Sequence, residues 1–348
     1  MIDRLIGSVT RSDILNHIGL LVIPANTVLT QTHIELIKKH QITIMPHHLV
    51  VAPASGGPTP SAPTASAKPK TNEAIVSKAT EEMKSIFDKF RSGEAPTVSE
   101  MSSNLLPTIQ EAIEFPSLFG LLSGLLAKDD YTFRHNIGVA VLSSMIGKWL
   151  QFDEERLHTL TLAAALHDIG KVKIEDDILN KPGRFTDAEY LLMKQHTVFG
   201  YEMLSNFDGL PEEVPLVALQ HHERLDGKGY PHGIGGDQMT YFSKIVAVAD
   251  VFHAMTSNRV YRGEIPFYKV LLQMKDDAFG VMDPFLCKLF VQRMMELAIG
   301  SEVVLSNQER GNIVMVYPDD PIRPLVQVQD RFFDLRQHTQ IHIEKLVG

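Results

Sequence analysis

Residues 52–70, "APASGGPTPSAPTASAKPK", can belong to no packed layer, because the run holds only Pro, Ala, Ser, Thr, Gly and Lys with no apolar period. Such a segment cannot bury enough apolar surface to offset the entropy of ordering it. It reads as a flexible linker over 51–72, and anything that folds must fold on either side of it. Of the 348 residues 44% are apolar, so the longer stretch beyond the linker can bury a large core.

Before the linker, 1–50 reads as a small α/β unit. "GLLVIPANTVLT" suggests short strands around a turn, "QTHIELIKKH" a helix and "QITIMPHHLVV" a further strand. After it the pattern is helical: a lead-in over 73–130, then a main domain over 131–300. "TNEAIVSKATEEMKSIFDKF" and "FRHNIGVAVLSSMIGKWL" have apolar residues at helical spacing. "ERLHTLTLAAALHDIGK" reads as a helix ended by Gly170, and "TDAEYLLMKQHTVFGYEMLSNF" as a helix opened by a Thr186–Glu189 capping box. "YFSKIVAVADVFHAMTS" and "DPFLCKLFVQRMMELAIG" follow, the latter with Pro284 in its first turn. The tail, 301–348, changes to β-branched alternation. The expected fold is mainly α, a helical bundle with a small N-terminal α/β domain and a short C-terminal β appendage.

Charge and cysteine content narrow the function classes. A net charge of −9 argues against a general DNA or membrane-surface binder. The single cysteine, Cys287, excludes an internal disulfide and a thiolate-rich zinc site. The N-terminus lacks the basic-then-apolar plan of a signal peptide, and no apolar run reaches the roughly 18 residues of a membrane span. A cytoplasmic location is expected.

Eight of the fifteen histidines fall between positions 135 and 253. On the helical part, His135, His167, Asp168, His196, His221, His222 and Asp250 are all nitrogen or oxygen donors in a helix or at its end, and facing helices of a bundle build metal sites in this way. Neighbours on a helix diverge by about 100°, so His221 and His222 are expected to serve two ions, one on either side of their helix end. Asp168 has two oxygens and can bridge such ions, with His167 on one of them. This arithmetic favours two metals over one, and the donor types suit iron or manganese, with zinc, magnesium and nickel left open. Singly, each histidine reads as a hydrogen-bonded core or surface residue, and His158, His232 and His253 keep that reading. "HDIGK" alone could be a helix end and "DGKGYP" alone a turn.

Together, "HDIGK", "LNKPGRFTDAEYLLMKQHTVFGYEML", "HHERLDGKGYP" and "VADVFHAMTSNRVYR" resemble the HD-GYP family of the HD hydrolase superfamily, over about residues 125 to 300. The resemblance implies a bacterial phosphodiesterase that cleaves cyclic di-GMP to linear pGpG, a second cut giving GMP, with two divalent metal ions held by the seven donors above. Asp168 is then the bridging catalytic residue. Lys171 binds a substrate phosphate and assists the leaving group. Arg259 and Arg262 grip the phosphate or guanine end, and Gly229, Tyr230 and Pro231 line the site. Diguanylate cyclase domains and a second copy of the chain are the protein partners it suggests. Three positions depart from the family. Tyr131 stands where some members have a third-metal glutamate, with Asp130 one residue off, so two metals are expected. His253 replaces an aspartate, and Val260 a proline. The competing readings are a non-catalytic cyclic-dinucleotide receptor and a hydrolase of another cyclic dinucleotide.

Overall fold

The computed structural model describes residues 72–94, 96–114, 118–125, 130–257, 267–277 and 280–347, with scattered positions between 5 and 50. Most of the expected linker, together with Arg259, Val260 and Arg262, lies outside the described residues. The chain divides into two compact units, 1–67 and 68–348.

In the first unit, β1 (Val9–Thr10) pairs antiparallel with β4 (Leu49–Val50), and β2 (Ile14–Leu15) with β3 (Leu21–Ile23). Ile23, Leu29, Ile34 and Ile37 are buried there. Much of the expected helix "QTHIELIKKH" lies outside the described residues.

The second unit is mainly helical. α1 (Asn72–Ser92) buries Ile75, Val76, Ala79, Met83, Ile86, Phe87 and Phe90, the one-sided stripe that its periodicity predicts. α2 (Val98–Ile113) starts with a capping box between Thr97 and Glu100, and α3 is Leu118–Leu125. α4 (Tyr131–Trp149) is buried on every side from His135 to Gly147, so it is the central helix of the unit. α5 (Glu154–Leu166) packs along it.

Two helix boundaries differ from the sequence reading, and both fall at the site. α5 ends at Leu166 with His167 as its C-cap, and the chain tightens into a 3₁₀ turn over Ile169–Lys173, so Gly170 lies inside that turn. The helix expected from 186 is two: α7 (Asp187–Lys194), opened by the expected capping box, and α8 (His196–Ser205). Between these lies α6 (Asp176–Leu179), and after them come α9 (Glu213–Gln220), α10 (Tyr241–Thr256), α11 (Phe267–Asp277) and α12 (Pro284–Leu297). The Asp283 carboxylate caps α12 by accepting from Phe285 and Leu286 N–H, just ahead of Pro284.

The tail forms one antiparallel sheet in the order β8–β7–β6–β5–β9, from β5 (Glu302–Leu305), β6 (Arg310–Met315), β7 (Leu325–Val328), β8 (Arg331–Asp334) and β9 (Ile343–Val347). α11 holds this sheet: Tyr268 donates to the Ile322 carbonyl at 2.6 Å, while Lys269 pairs with Glu344 and Lys275 with Asp320.

A buried histidine and aspartate centre as the candidate functional site

Five separate elements deliver the donors to one place. His135 lies in the first turns of α4, His167 and Asp168 at the C-terminus of α5, and His196 at the head of α8. His221 caps α9, His222 follows it, and Asp250 projects from the interior of α10. Two groups result, each with its donor atoms within 4.8 Å of one another: Asp168, His196, His221 and His222 form one, and His135, His167 and Asp250 the other.

Asp168 stands between the groups. Its Oδ1 lies 3.3 Å from His196 Nε2 and 3.8 Å from His221 Nε2, and its Oδ2 lies 3.5 Å from His167 Nε2 and 3.9 Å from His135 Nε2. Asp250 also straddles, with Oδ1 3.0 Å from His135 Nε2 and Oδ2 3.8 Å from His222 Nδ1. The expectation that His221 and His222 part to separate ions does not hold. Their rings lie 4.1 Å apart, and both fall in the group with Asp168 and His196.

Hydrogen bonds fix which nitrogen each ring offers. Nδ1 of His167 is 2.7 Å from the Ala164 carbonyl, Nδ1 of His196 is 2.7 Å from that of Met193, and Nδ1 of His221 is 3.0 Å from that of Ala218. A carbonyl oxygen only accepts, so each Nδ1 carries the proton and each neutral ring turns a bare Nε2 to the centre. Burial pushes His196 and His221 down to about 4, lowers His167, and with the neighbouring His221 holds His222 well below its ordinary value. These rings are therefore neutral at pH 7. Burial alone would raise Asp168, but Lys171 and the surrounding imidazoles hold it well below the usual carboxylate range. Burial is likewise outweighed at Asp250, by His135 and its neighbours.

The donor set fits divalent cations. His167 Nε2 and Asp168 Oδ1 are buried with no hydrogen-bond partner, a costly arrangement that a cation relieves. Neutral imidazole and carboxylate donors without thiolate match a first-row divalent metal.

The segment "HHERLDGKGYP" folds back over the centre. Glu223, 3% exposed, accepts from the N–H groups of His232, Gly233 and Ile234 at 2.7–3.1 Å. Tyr230 N–H donates to the His222 carbonyl, and its ring lies 4.7 Å from that of His222 at an angle of 32°. Gly229 packs on the backbone of Glu223 and Arg224, and Pro231 follows a cis bond. Lys171 Nζ donates to Asp168 Oδ2. Three residues here escaped the sequence reading as site members. Lys194 Nζ lies 4.5 Å over the Tyr190 ring and 5.2 Å over that of Tyr230, and His253 touches His135. The spacing of Tyr190 and Lys194 ahead of His196 was the available signal.

A family model described as an HD domain matches residues 120–284. A cyclic di-GMP phosphodiesterase of Pseudomonas aeruginosa is 30% identical over 285 residues, which cover 82% of this chain and 68% of that protein. The chain belongs to the HD-GYP family. Other relatives match shorter stretches of the chain. A cyclic di-GMP phosphodiesterase response regulator of Xanthomonas campestris is 43% identical over 122 residues, 35% of this chain and 32% of that protein. A 3'3'-cGAMP-specific phosphodiesterase of Vibrio cholerae is 35% identical over 158 residues, 45% of this chain and 34% of that protein. The HD-GYP fold is shared with an HDG"Y"P protein from Bdellovibrio bacteriovorus at a TM-score of 0.51 and 17% identity, over 66% of this chain and 74% of that one. No described helix is long and apolar enough to cross a membrane.

Proposed function

We propose that this chain is a metal-dependent phosphodiesterase that opens cyclic di-GMP to linear pGpG, from which a second cut would give GMP. The observation that supports it most is Asp168, which presents one carboxylate oxygen to each of two donor groups. Two divalent cations, iron or manganese, held by His135, His167, Asp250 and by His196, His221, His222 with Asp168 shared, would supply Lewis acidity and activated water at neutral pH.

The chain's own residues do the rest. Hydrolysis joins a water oxygen to phosphorus, breaks the bond to the ribose 3′ oxygen and leaves a proton there. Lys171 is the cation beside Asp168 that can meet the charge developing on phosphate and on the departing oxygen. Tyr230 offers its ring as a face for a base, and Lys194 lies over that ring and over Tyr190. Gly229 and Pro231 hold the loop that carries Tyr230, and Arg259 and Arg262 would grip the phosphate or guanine end. The 1–50 unit would be an accessory module tethered by 51–72.

The test is direct. Protein purified without oxygen and loaded with iron or manganese is incubated with cyclic di-GMP, and products are followed by chromatography. Conversion to pGpG or GMP supports the reading. Tight binding without turnover in any cation would make the chain a receptor instead. The 3'3'-cGAMP relatives favour one second reading, a preference for that hybrid dinucleotide. Parallel kcat/KM values for the two substrates decide it.

A further inference from the structure

Lys194 closes α7, two residues ahead of the donor His196, and the hydrolysis proposed for the centre leaves its charge without a task. Its half-buried Nζ lies 4.5 Å over the Tyr190 ring and 5.2 Å over that of Tyr230, and the two ring centroids are 6.5 Å apart at 75°. Tyr190 is four residues earlier on the same helix, so helix spacing accounts for the first contact. It does not account for the second, since Tyr230 comes from the segment after α9 and leans on His222 at 4.7 Å. The ammonium is therefore held one ring away from a donor of the centre. Among the described residues no carboxylate forms an ion pair with it, whereas Lys171 is taken up by Asp168 and Lys181 by Glu189.

We propose that Lys194 binds the second phosphate of the cyclic dinucleotide, the one that is not being cut. The inference deepens the reading of the site as a cyclic-dinucleotide phosphodiesterase and rests on it. Such a substrate carries two phosphodiesters, each with a negative charge. The cations and Lys171 answer one of them, and the other needs its own cation in a chain whose net charge is −9. Ring faces fix the position of an ammonium without neutralising it, so the charge stays free for an anion. A carboxylate in their place would cancel it. Held in advance by two rings, the long side chain also loses less freedom when substrate arrives. The contact selects a ligand with two anionic linkages over a diester with one.

The test compares cyclic di-GMP with an analogue in which one linkage is an uncharged methylphosphonate, so both bases stay and one charge goes. Both substrates are given to the manganese-loaded full chain, to Lys194→Met, which keeps the stem against the rings, and to Lys194→Arg, which keeps the charge. Manganese content is measured on each sample. For Lys194→Met, KM for cyclic di-GMP should rise about ten-fold, the scale of a lost charged hydrogen bond, at wild-type manganese content. Lys194→Arg should return it to within a few-fold. The wild-type chain should prefer cyclic di-GMP to the analogue by about the same ten-fold, and Lys194→Met should treat the two alike. An unchanged KM in Lys194→Met, an equal rise in both variants, or an undiminished preference for the charged substrate in Lys194→Met overturns the role of Lys194 while the phosphodiesterase reading stands. A wild-type chain that neither binds nor cleaves cyclic di-GMP overturns both. Should Lys194→Met lose its manganese, Lys194→Gln takes its place in the same comparison.

Discussion

Gly170 has no room for a side chain, because a Cβ there would lie 1.9 Å from the His196 carbonyl oxygen and 2.4 Å from Gly200 N. The 3₁₀ turn after His167 and Asp168 is thus pressed onto the first turn of α8, and this contact sets the reach from Asp168 to His196. Gly170→Ala should separate the two elements at an overpacking cost of about 1–3 kcal/mol. Thermal unfolding should show a lowered midpoint, and metal analysis a lowered cation content. Unchanged values in both would mean the contact is not what spaces the donors.

Asp168→Asn keeps the volume but removes the charge that both donor groups share. Cation content should fall below one per chain, and hydrolysis of cyclic di-GMP should drop by more than the roughly 10- to 100-fold that losing a residue which only supports a ligand costs. Chromatography of the products and metal analysis of the same sample check it together.

Acid should unfold the metal-free protein earlier than an ordinary domain. His196 and His221 stay neutral down to about 4 in the folded chain, against an ordinary value of 6.5. The unfolded chain therefore binds more protons through that window, and stability falls as pH drops from 6.5 toward 4, by up to about 3 kcal/mol for each ring. Urea titrations at pH 7, 6 and 5 should show this loss, and excess manganese should shift it to lower pH.

Glu223 should act on substrate and not on cations. Glu223→Ala removes the buried carboxylate that accepts from the N–H groups of His232, Gly233 and Ile234, and so loosens the segment that follows Gly-Tyr-Pro. KM for cyclic di-GMP should rise with manganese stoichiometry intact. Loss of manganese instead would place Glu223 in the metal scaffold.

Tyr190→Ala removes one ring of the aromatic and lysine face beside Tyr230. Stacking on one base is worth about 1–3 kcal/mol, so KM for cyclic di-GMP should rise roughly ten-fold. Hydrolysis of bis(p-nitrophenyl) phosphate, which has no purine, should change far less.

The donors were legible in the sequence because their chemistry is rare and their strings are dense, and the helical segments because buried faces repeat at 3.6 residues. What sequence concealed was where helices stop. "AALHDIGK" has helical composition throughout, yet Gly170 lies against the α8 backbone and the chain tightens into a 3₁₀ turn instead of continuing. The break at Gln195, which places His196 at the head of a new helix, carries no Pro or Gly to announce it. His253 read as a core histidine because its partner, His135, is 118 positions away.

The seven donors differ sharply in their contact with solvent. His222 has 28% of its side chain exposed, while His221 has none and the other histidines at most 4%. Solvent therefore meets the donor set mainly at His222. Among the described donors, His222 is the one most open to solvent, and it lies under the ring of Tyr230. Bulk at position 230 should then act as a throttle on metal exchange, slowing escape and capture alike while the affinity between those two rates stays nearly constant.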